Sequence, residues 1–181
     1  FINDRSDDDT NDKIIIEKKN NPDININIIQ GDGKGKSFAV EKGIESSNGI
    51  YCIILDADLT VKMKDINLFY SSITKGNGDL INGSRLIYNL EKNSMRYLNI
   101  LGNIFFAKLV SYIISEQITD TLCGTKCFKK AKWGLIKEYR DINNLNDRWG
   151  DFITIFGISY YGNKIIDLPV RYYERVEGTT K

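Results

Sequence analysis

The segment that most restricts the fold of this chain is Tyr51-Cys52-Ile53-Ile54-Leu55-Asp56-Ala57-Asp58, an apolar and partly β-branched run that stops on two carboxylates one residue apart. Such a run reads as a buried strand, and a strand that ends this way delivers Asp56 and Asp58 together as a candidate metal site. The nearby side chains offer only carboxylate and hydroxyl oxygens, the ligands that Mg2+ or Mn2+ take when they also coordinate phosphate. The chain has no His, which excludes imidazole ligation. Taken alone, an Asp-x-Asp is equally readable as a solvated acidic turn closing the strand.

With 181 residues, 41% of them hydrophobic and 27% charged, the chain is expected to form a single well-cored domain. The formal net charge of +1 argues against a general nucleic-acid binder, and no nucleic-acid partner is expected. Its three cysteines, Cys52, Cys123 and Cys127, form no dense framework and suit a reducing, cytoplasmic compartment. Cys123 and Cys127 without His or a second pair make a poor zinc site, so packing is their expected role. No secretory leader is legible, and the opening Phe1-Ile2-Asn3-Asp4 reads as the start of a fragment.

The remaining pattern alternates between helix and strand. Helices are expected over Thr10 to Lys19, Lys36 to Ser46, Asp65 to Thr74, Ser94 to Ile114, Ala131 to Tyr139 and Gly150 to Tyr161. Strands are expected over Asn25 to Gln30, Tyr51 to Leu55, Asp79 to Ile81, Ile165 to Asp167 and Val170 to Tyr173. Such alternation implies an α/β architecture. Within the long apolar helix, Asn99, Asn103, Ala107 and Ser111 recur every fourth residue, so one stripe is small or polar and the rest apolar. The polar positions argue against a membrane span and leave a core helix or an interfacial one.

Gly31-Asp32-Gly33-Lys34-Gly35-Lys36-Ser37 follows a strand, opens a helix and ends like a nucleotide triphosphatase loop. That loop would need glycine where Gln30 stands, so its nest of amides would be misformed. The alternative is a lysine-rich surface turn.

Six ordered segments resemble family 2 glycosyltransferases of the glycosyltransferase A fold, and within them the dolichol- or polyprenyl-phosphate sugar synthases. Phe1-Ile2-Asn3-Asp4-Arg5-Ser6-Asp7-Asp8-Asp9-Thr10 is similar to the family's V-D-D-G-S-x-D-x-T, with Asn3 at the first acidic position and Arg5 at the glycine. Gly33-Lys34-Gly35-Lys36 resembles the loop before the next helix, Asp56-Ala57-Asp58-Leu59 the D-A-D-L segment and Gly83-Ser84-Arg85 the G-S-R segment. Asp120-Thr121-Leu122-Cys123-Gly124-Thr125-Lys126-Cys127-Phe128 is similar to D-x-x-S/C-G-F/T-K/R-x-F, and the stretch from Pro169 to Lys181 resembles P-V-x-Y-x-x-R-x-x-G-x-S/T-K. Thr60 stands where several relatives place Gln. The family's first strand would lie before Phe1, and the membrane hairpins of some relatives would follow the last motif.

The resemblance implies a mainly parallel sheet flanked by helices and transfer of a sugar from a UDP- or GDP-linked donor, with inversion and with Mg2+ or Mn2+. The acceptor would be a polyprenyl or dolichyl phosphate at the cytoplasmic face of a membrane, where the protein would sit peripherally. Asp4 and Asp56 would contact the nucleotide, Lys34 or Lys36 would neutralise its diphosphate, and Asp58, backed by Asp56, would hold the metal. Asp120 is the candidate acceptor-side carboxylate, acting as a base or orienting the nucleophile. Arg85, Ser94, Arg96 and Arg175 are the candidates for the acceptor phosphate, since arginine meets phosphate oxygens in pairs. Two rival readings are a family 2 enzyme acting on a saccharide hydroxyl in envelope or exopolysaccharide synthesis, and a non-catalytic nucleotide- or lipid-binding module.

Overall fold

The computed structural model describes residues 1–58, 60–87 and 97–173. The chain divides into two compact units, Phe1–Asn48 with Asn146–Gly150, and Gly49–Leu145 with the segment from Asp151 onward.

In the first unit, β1 (Ile2–Asn3), α1 (Thr10–Asn20), β2 (Ile29–Gln30) and α2 (Lys36–Ser46) follow one another. β1 and β2 pair in parallel, Ile2 opposite Ile29 and Asn3 opposite Gln30, and α1 makes the crossover. At the start of α1, Asp8 Oδ1 accepts the amide of Thr10 at 3.0 Å, which satisfies a donor that the first turn leaves open. The strand expected over Asn25 to Gln30 contracts to its last two residues. Asn25 and Asn27 bond to each other at 3.3 Å, as short amide side chains do when they compete with a ladder.

The second unit contains β3 (Tyr51–Ile54), α3 (Met63–Thr74), β4 (Leu80–Ser84), α4 (Tyr97–Ile114) and β5 (Lys126–Lys129). A 3-10 turn (Lys130–Lys132), α5 (Trp133–Ile142), α6 (Asp151–Tyr160) and β6 (Ile165–Pro169) complete it. The sheet order is β3-β5-β4-β6. Since β5 is antiparallel to both β3 and β4 while β4 and β6 are parallel, β3, β4 and β6 run the same way and β5 alone is reversed. β5 was not anticipated from sequence. It lies in what reads as a glycine-containing loop, yet Lys126, Cys127 and Phe128 are all buried.

Gly83, in the Gly-Ser-Arg segment, shows why this strand fits: a Cβ there would fall 2.8 Å from Cys123 Sγ and 2.9 Å from the Thr125 carbonyl. The core joins Phe69 and Ile73 of α3 to Ile81, Cys123, Cys127 and Val170. All three cysteines are buried free thiols, and burial pushes Cys127 up to about 12, in keeping with packing rather than metal ligation. β6 ends at Pro169, on a sheet edge where a missing N–H is tolerated. The strand expected over Val170 to Tyr173 is instead an extended tail with one bridge, Val61 to Tyr172.

α4 has an unexpected orientation. Asn103 and Ala107 of its small and polar stripe are buried and Ser111 is half-buried, while Leu101, Phe105 and Leu109 are exposed. Asn99, at the start of the stripe, is exposed. Among the described residues no helix is long and apolar enough to cross a membrane.

Candidate functional site

In the first unit the Asp4 carboxylate reaches across the glycine loop. Its Oδ1 accepts the amide of Gly33 at 2.7 Å and its Oδ2 that of Gly35 at 2.9 Å, while the Asn3 carbonyl accepts the amide of Gly31 at 2.7 Å. A Cβ on Gly31 would sit 2.3 Å from Asp4 Oδ1, so glycine is what lets the carboxylate approach. The loop therefore wraps a side chain of the protein itself, which accounts for its glycines without a triphosphatase loop. Lys34 is exposed and lies over the Phe38 ring at 5.7 Å, and Lys36 opens α2.

Asn3 is buried at the first acidic position. Its Oδ1 accepts the Ser6 amide at 2.8 Å and its Nδ2 donates to Asn11 Oδ1 at 2.9 Å. An amide can do both where a carboxylate can only accept. Arg5, at the family's glycine position, has φ 65, the left-handed conformation that glycine adopts without cost.

In the second unit Asp56 is exposed and Asp58 half-buried just beyond β3. Asp58 Oδ1 accepts the Thr60 hydroxyl at 2.8 Å and the Thr60 amide at 3.3 Å, which fixes the carboxylate at the turn. These oxygens suit a hard divalent ion. Among the described residues no group of three or more His, Cys, Asp or Glu gathers to hold a metal ion, at this turn or elsewhere.

From Thr60 a line of contacts leads to Arg85. The Thr60 carbonyl accepts the Tyr173 amide at 3.0 Å, Lys62 Nζ sits 3.8 Å over the Tyr173 ring and Arg85 lies 5.1 Å over the Tyr172 ring. Arg85 then meets Asp120 in a fork, Nε to Oδ2 at 2.7 Å and Nη2 to Oδ1 at 2.9 Å, with its own amide on Oδ2 at 3.0 Å. Asp120 is fully buried and also accepts Asn103 Nδ2 at 2.6 Å and the Leu122 amide at 3.0 Å.

Burial alone would raise the Asp120 pKa. The hydrogen bonds and charge of Arg85 and the bond from Asn103 outweigh it, and the carboxyl lies below its ordinary value. Burial would likewise lower Arg85, and Asp120 reverses that shift, so the guanidinium stays protonated. An ionised carboxylate that already accepts hydrogen bonds from Arg85, Asn103 and Leu122 is poorly placed to take a proton from a substrate. In the structure both oxygens of Asp120 are engaged in this way, by Arg85, Asn103 and Leu122.

Behind this pair, Asn82 Nδ2 donates to the Asp120 carbonyl and to Asp167 Oδ1, both at 2.8 Å. The Thr119 amide and hydroxyl meet Asp167 Oδ2 at 2.5 and 2.6 Å. Lys126 Nζ bonds Asp151 Oδ1 at 3.0 Å and the Cys123 carbonyl, so the lysine of the Asp120-to-Phe128 motif is a buried anchor for the N-terminus of α6. Asn82, Asn103, Asp151 and Asp167 were not singled out for these roles from sequence. The signal present was polar residues inside apolar runs, as with Asn82 after Leu80-Ile81 and Asn103 within α4. Ser94, Arg96 and Arg175, together with Leu59, lie outside the described residues.

A family model for glycosyl transferase family 2 matches residues 1–148. A dolichyl-phosphate hexose transferase of Haloferax volcanii is 27% identical over 154 residues, covering 85% of this chain and 63% of that protein. A dolichyl-phosphate beta-glucosyltransferase of Dictyostelium discoideum is 30% identical over 137 residues, covering 72% of this chain and 42% of that protein. The chain thus spans less than two thirds of the length of these relatives. Among solved structures, glucosyl-3-phosphoglycerate synthase of Mycobacterium tuberculosis with UDP superposes with a TM-score of 0.60 at 14% identity, covering 97% of this chain and 60% of the other. The same enzyme with Mn2+, UDP and glucosyl-3-phosphoglycerate gives 0.62 at 12% identity, covering 98% and 60%. These likenesses establish the α/β glycosyltransferase A fold.

Proposed function

Because the chain belongs to glycosyl transferase family 2, we propose that it transfers a hexose from a nucleotide-diphosphate sugar to a polyprenyl or dolichyl phosphate at the cytoplasmic face of a membrane. The observation that carries this reading is the Arg85–Asp120 pair, a protonated guanidinium held by a carboxylate that is itself unsuited to act as a base. A saccharide hydroxyl needs a base to become a nucleophile. A phosphate is already anionic at neutral pH and needs a cation to orient it. The names of the Haloferax and Dictyostelium relatives support the lipid-phosphate acceptor.

The roles follow from the residues present. Asp4 shapes the glycine loop that meets the nucleotide, with Lys34 and Lys36 supplying positive charge beside it. Asp58, with Asp56, would hold Mg2+ or Mn2+, and a neighbour solved with Mn2+ and UDP supports a divalent ion. Bound there, the ion would stabilise the charge that gathers on the departing diphosphate. Arg85 orients the acceptor phosphate, one of whose oxygens forms the new bond to the anomeric carbon as the bond to the diphosphate breaks, with inversion. Arg96 and Arg175 are proposed to share the acceptor phosphate, and Ser94 to add a hydroxyl.

The test is transfer from labelled UDP- and GDP-hexoses to polyprenyl phosphate, using the wild-type chain and Arg85→Lys. Lys keeps the charge but loses the fork, and a folded Arg85→Lys protein is expected to lose about a hundredfold in rate, the scale of one oriented charge in a transition state. Transfer only to saccharide hydroxyls would overturn the proposal.

A further inference from the structure

The extended tail from Val170 to Tyr173 runs between Arg85 and the turn that carries Asp58, and backbone bonds fix it at both ends. Val170 is fully buried and donates its amide to the carbonyl of Ser84, the residue before Arg85, at 2.9 Å. Tyr173 donates its amide to the Thr60 carbonyl at 3.0 Å, and the Thr60 hydroxyl in turn bonds Asp58 Oδ1 at 2.8 Å. Between these anchors Tyr172 forms the antiparallel bridge to Val61.

Residues opposed in such a bridge share a face, and neighbours along an extended chain face opposite ways. Val61 packs against the core of Phe69, Ile73 and Val170, so Tyr172 belongs to the inward face, where the Arg85 guanidinium lies 5.1 Å over its ring. Tyr173 turns the other way, under the exposed Lys62 at 3.8 Å.

Arg85 is therefore constrained in two directions. Its Nε and Nη2 make the fork to Asp120, which occupies one edge of the planar guanidinium. A fork by itself lets the plane hinge about the line through the two carboxylate oxygens, and hinging moves Nη1 most, since that nitrogen is farthest from Asp120. A ring against the face blocks the hinge. A second bidentate ligand has to approach by the Nη1–Nη2 edge. The Arg85 side chain is 12% exposed and that of Asp120 0%, so of the pair it is the arginine that a ligand from solvent can reach.

We propose that Tyr172 is a positioning residue for the acceptor phosphate: its ring fixes the plane of the Arg85 guanidinium so that the Nη1–Nη2 edge meets two phosphate oxygens at once. This rests on the lipid-phosphate reading above. Tyr172 touches the acceptor only through Arg85. The bond to Thr60 comes from the Tyr173 backbone, so changing the Tyr172 side chain leaves the Asp58 turn in place, and the effect falls on the acceptor side alone. A guanidinium over an aromatic face in a partly desolvated setting gains a factor of about ten. Phenylalanine keeps that face, whereas leucine and methionine fill similar space without it.

The experiment uses geranyl phosphate, a short, water-soluble prenyl phosphate, as probe. Calorimetry reads its binding, and labelled UDP- and GDP-hexoses with Mn2+ read transfer to it. Tyr172→Phe is expected to stay within about twofold of wild type in both. Two ringless variants, Tyr172→Leu and Tyr172→Met, are expected to bind geranyl phosphate about tenfold more weakly and to show an equal rise in acceptor KM, with donor KM within about twofold. Arg85→Lys has no plane to fix, so adding Tyr172→Leu to it is expected to change acceptor kcat/KM by less than about twofold.

Wild-type affinity in both folded ringless variants would overturn the positioning role. So would a loss that Tyr172→Phe shares, which assigns the effect to the hydroxyl, or a tenfold loss that persists beside Arg85→Lys. Donor and acceptor KM rising together would reduce Tyr172 to a structural residue and overturn it as well. Geranyl phosphate that binds with the expected pattern of variants yet receives no sugar would instead sink the function proposed above, since calorimetry reads the positioning without transfer. Folded wild-type chain that does not bind geranyl phosphate would overturn both.

Discussion

Arg85 and Asp120 are bound by two parallel hydrogen bonds of 2.7 and 2.9 Å, and the carboxylate in that fork is fully buried. The pair turns the Gly-Ser-Arg segment at the end of β4 and the aspartate that precedes β5 into a single device. Breaking a buried pair by removing one partner leaves a charge without compensation and costs about 3 to 5 kcal/mol. Asp120→Asn is therefore expected to lower unfolding free energy on that scale, read by urea denaturation. Arg85→Met combined with Asp120→Leu should cost less than the sum of the two single changes. Additivity of the two would show that they are not coupled.

The same pair sets an acid limit. Asp120 titrates below its ordinary value in the folded chain, so its contribution to stability is complete above the unfolded carboxylate pKa, about 4, and is lost as pH falls through the lower folded value. Wild-type chain is expected to lose stability steeply below pH ~4, and Asp120→Asn to show a shallower acid slope. Identical slopes in urea titrations at pH 3 and pH 6 would remove Asp120 from this account.

Asp4 and Gly31 form the second testable contact. Alanine at Gly31 would put a carbon 2.3 Å from Asp4 Oδ1, so the carboxylate must move and release the amides of Gly33 and Gly35. Gly31→Ala and Asp4→Asn are each expected to weaken nucleotide binding about tenfold, equivalent to one charge-assisted hydrogen bond. Calorimetry with UDP and GDP checks this, and unchanged affinity in both variants would separate the loop from the nucleotide.

Arg5 offers a stabilising change. At φ 65 a side chain costs roughly 1 kcal/mol that glycine avoids, so Arg5→Gly should raise stability by about that amount in thermal unfolding. A drop in melting temperature would mean that Arg5 makes contacts worth more than its backbone strain.

How much of this was legible in the sequence depends on the range of the forces involved. The helices over Thr10 to Asn20 and Lys36 to Ser46 could be read because their starts and stops are written locally. So could the strand that delivers Asp56 and Asp58, whose apolar run needs no partner to be recognised. β5 could not, because the buried Lys126 meets its charge partner Asp151 25 residues away, and a lysine in a glycine-containing stretch gives no local sign of a strand. The segment resembling the family's motif singled out Asp120 as a candidate. Its partners, Arg85 at 35 residues and Asn103 at 17, are not written near it in the sequence, and their approach is a property of the packed sheet. The polar stripe of α4 was visible as a period of four. Which side faced inward was not, since amphipathic helices ordinarily bury their apolar side and here Asn103 is needed at Asp120.

The most direct test of the central claim is calorimetric titration of the wild-type chain and Asp58→Asn with UDP, GDP and their hexose conjugates, with and without Mn2+. The expected result is nucleotide binding by wild type that requires Mn2+ and is abolished in Asp58→Asn, with the variant's fold intact by circular dichroism. Binding of equal strength in the variant, or no binding of any nucleotide by folded wild-type chain, would contradict the account.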